Sequence, residues 1–199
     1  MPQAGALMAA NLAGWFCSIY LVQEMLGVQT MAVLAVANQW LTLILMPATS
    51  WSGLILKEMA DLSLTTEGRR QMTGKVRDVM IRNVSVTLLL AVAVVLGSPW
   101  LASAYRLDGL GLTTVIAVSA MAALVMSAAL VMQNTMITLN KQWEWMACTC
   151  VGLLAQLLFT WLCVRHGAWT VQMGLMISAL LSGGLALVWV WRCRWMVQD

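Results

Sequence analysis

Six stretches of the chain carry apolar side chains almost without interruption, at residues 4–22, 30–56, 83–104, 112–138, 145–164 and 170–191. A helix rising 1.5 Å per residue needs about 20 such residues to cross a hydrocarbon core of about 30 Å, so each stretch predicts one membrane-spanning helix. The second is longer than a crossing requires, and is expected to tilt, to bend at Pro47 or to run out past the interface. Only one connection, 57–82, is long. It mixes six basic with four acidic residues and contains Gly68 and Gly74, which predicts a loop followed by an interfacial helical stretch entering the third span. The other links are short and force neighbouring helices to run antiparallel. The expected architecture is all-α, a single six-helix transmembrane bundle over 1–199.

Composition agrees with this frame. Of 199 residues 61% are hydrophobic and 10% charged, and the mean hydropathy is +0.83, so too few polar side chains exist to coat a water-soluble globule. Trp100, Trp143, Trp145, Trp161, Trp169, Trp189, Trp191 and Trp195 fall near predicted span ends, where indoles favour the headgroup level. Trp15 and Trp40 do not, and are expected to pack inside. Residues 4–22 match a signal peptide in hydrophobicity, but no Lys or Arg precedes them and the run is long for a signal sequence; a retained first span is expected.

Charge sets the orientation. Lys57, Arg69, Arg70, Lys75, Arg77, Arg82, Lys141, Arg192 and Arg194 fall on one side of the six-span frame, and only Arg106 and Arg165 on the other. The positive-inside rule therefore places both termini and the 57–82 segment in the cytoplasm. The bias also argues against a dual-topology antiparallel dimer. A net charge of +3 is too small and scattered for a nucleic-acid partner.

Polar residues inside the spans recur at helical spacing. Asn11, Trp15 and Ser18 share a face of the first span; Asn38, Thr42 and Thr49 form a stripe on the second; Ser127, Asn134, Thr138 and Lys141 form one on the fourth. Two roles compete for them. Interhelical hydrogen bonds contribute about 0.6 kcal/mol each on average, whereas polar faces on three helices together suit a hydrated cavity. Cys148 and Gly152, then Gly174, Ser178 and Ser182, follow the small-xxx-small spacing of closely packed helices, with Gly183 and Gly184 adding to that seam.

Catalytic chemistry finds few residues to work with. His166 is the only histidine and lies in a short loop, so no histidine-based triad or HExxH site can be assembled. Gly109 and Gly111 lack the third glycine of a dinucleotide-binding turn. The five cysteines, Cys17, Cys148, Cys150, Cys163 and Cys193, show no CxxC spacing and read as small buried residues. Neither an enzyme, a metal site nor a cofactor is expected, and no deep carboxylate offers a proton relay.

The run TMAVLAVANQWLTLILMPATSWSGLILKEMADL, residues 30–62, resembles the eighth-helix region of polysaccharide flippases of the multidrug/oligosaccharidyl-lipid/polysaccharide exporter superfamily. Ala37, Asn38, Gln39, Trp40 and Pro47 carry the likeness, with Lys57 where a second proline would stand. SPWLASAY is similar to the end of the family's ninth helix, LNKQWEWM to its link into the eleventh, with Asn140 in place of glycine, and RHGAWTVQMGLMISALLSGG to its turn into the twelfth. The resemblance covers the C-terminal six-helix half of a two-bundle, O-antigen-type flippase fold. It implies translocation of a lipid-linked oligosaccharide across the bacterial inner membrane for surface polysaccharide biosynthesis, by rocking of two bundles around a central cavity. Asn11, Trp15, Ser18, Asn38, Gln39 and Thr42 are then expected to line the substrate cavity, Lys57 or Arg82 to meet the diphosphate at the cytoplasmic entrance, and Pro47 to bend the rocking helix. The partners implied are the glycan lipid, membrane lipids and a second six-helix bundle, either another copy or a separate N-terminal half; otherwise the chain is an inactive fragment.

Two alternatives remain open at this point: an exporter of amphiphilic small molecules, which would want deep acidic residues that this chain lacks, and a non-transporting assembly subunit whose polar stripes only join helices. A membrane enzyme ranks behind both. The topology is checked by thiol labelling. A cysteine placed in the loop containing Arg106 is expected to react from outside the cell and one beside Arg69 to be protected, and the reverse pattern would overturn the orientation.

Overall fold

The computed structural model describes residues 8, 12–63, 66–107 and 109–196. Among them the chain is helical with no strands. A short helical segment, with a π-helical stretch at Phe16–Gln23 continued by Glu24–Leu26, leads into five long helices: α1 (Val28–Ser63), α2 (Thr66–Ala104), α3 (Leu112–Thr138), α4 (Gln142–Cys163) and α5 (Trp169–Met196). Within these, five stretches are long and apolar enough to cross a membrane: Val28–Asp61, Gly74–Ala104, Leu112–Thr138, Gln142–His166 and Trp169–Arg192. Of the first predicted span, 4–22, residues 8 and 12–22 are described, the latter within the short N-terminal helical segment, which is not among these five stretches.

The largest departure from the sequence reading is at 57–82. No loop-and-surface-helix arrangement forms there; α1 runs on to Ser63 and α2 begins at Thr66, so the segment is a helical hairpin. Lys57, Glu58 and Ala60, then Gln71, Lys75 and Arg77, are good helix formers. Met59 and Met72 are buried between the arms, each adding roughly 1.5–3 kcal/mol if this end is bathed in water. Lys75 Nζ donates to Glu58 across the hairpin. At Pro47, α1 continues without a break in its helical assignment.

Turn chemistry fixes the helix ends. Asn140 adopts φ +57 after α3, and the amides of Asn140 and Lys141 bond back to Ile137 O at 2.9 Å and Met136 O at 2.8 Å. This is a Schellman close, and asparagine tolerates its left-handed position better than most residues other than glycine. Arg106, at φ +56, closes α2 in the same manner.

Helix α3 is the hub, packed against α1, α2 and α5, while α4 packs chiefly on α5. Apolar side chains fill this arrangement at three levels. Met59, Met72, Val79, Met136, Trp145 and Ala186 gather at the hairpin end; Leu41, Ile44, Ala91, Ala120 and Ala123 fill the middle; Val33, Leu34, Leu101, Leu112, Ile116 and Val171 fill the opposite end. The α4–α5 seam is the tightest contact. A Cβ added at Gly152 would lie 2.6 Å from Ser178 O, and one at Gly174 would lie 2.7 Å from Thr160 Oγ1. Gly183 instead faces Ala129 on α3, and Gly184 faces open space.

These distances predict an unequal glycine series. Gly152→Ala and Gly174→Ala are each expected to lower stability in detergent by about 1–3 kcal/mol through forced separation of the helices, with Gly184→Ala neutral. Equal stability of all three variants in a reversible unfolding assay would show that the seam is loosely packed.

Candidate functional site

Asn38 and Gln39 are neighbours in sequence, but a helix turns about 100° per residue, and the two amides part company. Asn38 points into the bundle, where its Oδ1 accepts a 2.7 Å hydrogen bond from Nε2 of the fully buried Gln172 on α5. Gln39 is exposed and has no hydrogen-bond partner among the described residues. One amide is spent on holding α1 to α5; the other remains available.

The exposed side of α1 continues from Gln39 through Thr42, Met46, Thr49 and Ser50 to Lys57. Its hydroxyls are turned back on their own helix: Thr42 Oγ1 donates to Asn38 O at 2.9 Å, Thr49 Oγ1 to Met46 O at 2.9 Å, and Ser50 Oγ to Met46 O at 2.7 Å. Such back-bonding satisfies the donors and leaves oxygen lone pairs facing outward. Gln39 and Lys57 lie about five turns apart, roughly 27 Å along the helix. The stripe therefore begins deep in the apolar region with an amide and ends with a cation.

The polar stripe on α3 is used differently. Asn134 Nδ2 donates to Ser52 Oγ on α1 at 2.9 Å, and Ser52 Oγ bonds back to Asn134 Oδ1 at 3.2 Å. Ser127 Oγ donates to Leu124 O and Thr138 Oγ1 to Asn134 O. Lys141 lies 5.0 Å over the ring of Trp189 and 3.4 Å from Glu144. Asn134 and Lys141 thus join helices, whereas Ser127 and Thr138 bond only to their own helix.

Of the other predicted site residues, Asn11 lies outside the described residues, as does the side chain of Ser18. Trp15, expected to pack inside, is 59% exposed among the described residues; the Phe16–Gln23 stretch that follows it packs on α1 and α4. Near it an apolar groove of about 530 Å³ runs between Leu12, Phe16, Cys150, Leu153 and Leu157. Cys150 is exposed, and Cys148 and Cys163 are half-buried free thiols, so these three do not form the buried set expected from sequence. Arg82 Cζ lies 5.3 Å over the Trp51 ring. It sits on a face of α2 shared with Ser85, Leu89, Leu96 and Trp100, away from the α1 stripe that carries Lys57.

Three buried polar residues carried no signal as isolated positions. Gln156 and Asn83 bury both carboxamide atoms, and Thr160 its hydroxyl, without a hydrogen-bond partner among the described residues. A four-residue spacing joins Gly152, Gln156 and Thr160 on one face of α4, so the glycine pointed to the seam and the period would have extended it. The Asn38–Gln172 bond yields a direct test. In a double-mutant cycle of Asn38→Leu and Gln172→Leu, the coupling is expected near 0.6 kcal/mol and below about 1.7 kcal/mol; strictly additive losses of stability would show that the bond contributes nothing.

No protein-family model, curated protein or solved structure matches this chain, so its function is argued from these two faces of α1.

Proposed function

We propose that the chain is one six-helix half of a flippase for lipid-linked oligosaccharides, working with a second bundle in the bacterial inner membrane. The observation that carries the reading is Gln39, an amide exposed within an apolar helix and free of partners among the described residues. An amide facing hydrocarbon costs several kcal/mol. A hydrated cavity between two bundles removes that cost, and it also supplies the substrate. Glycan hydroxyls donate and accept, as an amide does, and the outward lone pairs of Thr42, Thr49 and Ser50 offer further acceptors along the same path.

On this reading residues 4–22 supply the sixth span, with Asn11, Trp15 and Ser18 on the cavity side, and both termini face the cytoplasm. Lys57, at the cytoplasmic end of the stripe, meets the diphosphate as a point charge, while the polyprenyl tail stays in lipid. Rocking of the two bundles exposes the stripe to each side in turn. The likeness of residues 30–62 to the eighth helix of polysaccharide flippases supports the same substrate class. The second bundle is another copy of this chain or a separate N-terminal half.

The paired amides favour a second reading, a non-transporting assembly subunit, because Asn38 and Asn134 serve helix association. The two are separated in a strain whose surface polysaccharide depends on this chain and its partner bundle. Gln39→Leu combined with Thr42→Val is expected to leave membrane abundance unchanged and to cut surface glycan at least about tenfold, the scale of one or two lost polar contacts. Asn38→Leu is expected to lower abundance first. Normal glycan display in the Gln39/Thr42 variant would reject the cavity and leave the assembly reading.

A further inference from the structure

The basic residues at the hairpin end whose side chains are described fall into two groups. Lys75 is paired with Glu58, Arg77 lies 3.7 Å from Asp78, and Lys141 lies 3.4 Å from Glu144. Lys57, Arg82 and Arg192 have no carboxylate partner among the described residues. Of these three, only Arg82 is held against a rigid surface, its guanidinium 5.3 Å over the Trp51 ring. The nearest carboxylate along α2, one turn earlier, is Asp78, and it is turned to Arg77.

An indole beneath a guanidinium restrains the plane but leaves its edge of N–H donors free, an arrangement that suits bidentate contact with a phosphate. The surroundings say where that phosphate sits. Arg82 shares its face of α2 with Leu89, 72% exposed, Leu96, 76% exposed, and Trp100, 72% exposed. Such an apolar stripe belongs against acyl chains. Arg82 and Trp100 are about five turns apart, roughly 27 Å, which approaches the thickness of a hydrocarbon core. With Trp100 at one interface, Arg82 reaches the headgroup layer of the other.

We infer that Arg82 seated on Trp51 is a binding site for the headgroup phosphate of an anionic phospholipid in the cytoplasmic leaflet. The site lies on the lipid-facing side of α2 and is distinct from the α1 stripe. It therefore stands whether or not the chain moves glycans. Anionic headgroups are favoured over zwitterionic ones because no carboxylate among the described residues neutralises Arg82, and a choline ammonium would compete with it. Bound there, the lipid would fasten the α1–α2 pair to the bilayer at the base of the hairpin.

The site is tested on the whole purified chain in detergent, by the rise in melting temperature on adding phosphatidylglycerol, with phosphatidylcholine and inorganic phosphate as separate arms. Phosphatidylglycerol is expected to stabilise the parent chain, and the other two are not. Arg82→Gln should weaken apparent phosphatidylglycerol affinity roughly fivefold, the effect of one basic residue at an anionic surface. Arg77→Gln, which removes an equal charge from a different face of α2, should leave it unchanged. If Arg82→Gln does not fold, Arg82→Lys and Trp51→Phe carry the test, each expected to give an intermediate loss because the charge or the aromatic ring is retained. The inference is overturned if inorganic phosphate stabilises as well as phosphatidylglycerol does, if phosphatidylcholine is equally effective, if Arg77→Gln loses as much as Arg82→Gln, or if the Arg82 and Trp51 variants retain the parent response.

Discussion

Hydrocarbon offers helices no hydrophobic reason to associate, since a lipid tail solvates leucine as well as another leucine does. Everything within the membrane part of this fold depends on that constraint. Adhesion must come from close approach of backbones and from the few polar pairs that find one another. The α4–α5 seam relies on the first. Gly152 and Gly174 let Ser178 O and Thr160 Oγ1 come within distances that a single methyl would forbid, so dispersion contacts accumulate along the line of closest approach. Asn38–Gln172 and Asn134–Ser52 supply the second, tying α1 to α5 and to the hub helix α3. At the hairpin end, where the apolar stretches run out, buried methionines and an ion pair hold the two arms together.

The same constraint sorts the polar residues. Those consumed in helix association are turned inward and paired, although Gln172 keeps its Oε1 without a partner among the described residues, and substituting them should register in stability. Those left outward must be explained by something outside the described residues. Thr42, Thr49 and Ser50 are mild cases, because back-bonding to the helix meets their donors. Gln39 has no such relief, which is why one side chain bears most of the functional argument. Gln156, Thr160 and Asn83 form a third class, buried and without a hydrogen-bond partner among the described residues.

Much of the helical layout could be read from hydrophobic runs. Residues 112–138 coincide with α3, and 145–164 and 170–191 fall within a few residues of α4 and α5 or the span continuing from it. The hairpin could not be read in this way. Its residues are polar enough to resemble a loop, and only Met59 and Met72, 13 positions apart in sequence and meeting in one cluster, reveal the two arms. The fate of Asn38 was hidden for a related reason. Its partner is 134 residues away, and periodicity within one helix cannot say which neighbour a face will meet. Grouping Asn38 with Gln39 because they adjoin joins residues that the helix then points in different directions.

Lys57 and Arg82 show how far such a distinction reaches. In sequence both are cations at the inner end of an apolar run, interchangeable as candidates for a diphosphate. Projected along their helices they separate. Lys57 completes a stripe that opens with Gln39, and Arg82 completes one bounded by Trp100, each about five turns long. The two stripes are of similar length and differ in what lies between their ends: three hydroxyls beside Leu43 and Met46 on α1, and leucines with the single hydroxyl of Ser85 on α2. A phosphate attached to a glycan needs a polar path behind it, and a phosphate attached to two acyl chains needs an apolar one. On the two proposals, each cation is assigned its phosphate by the twenty or so residues of its own helix that lead up to it, and not by the charge that the two share.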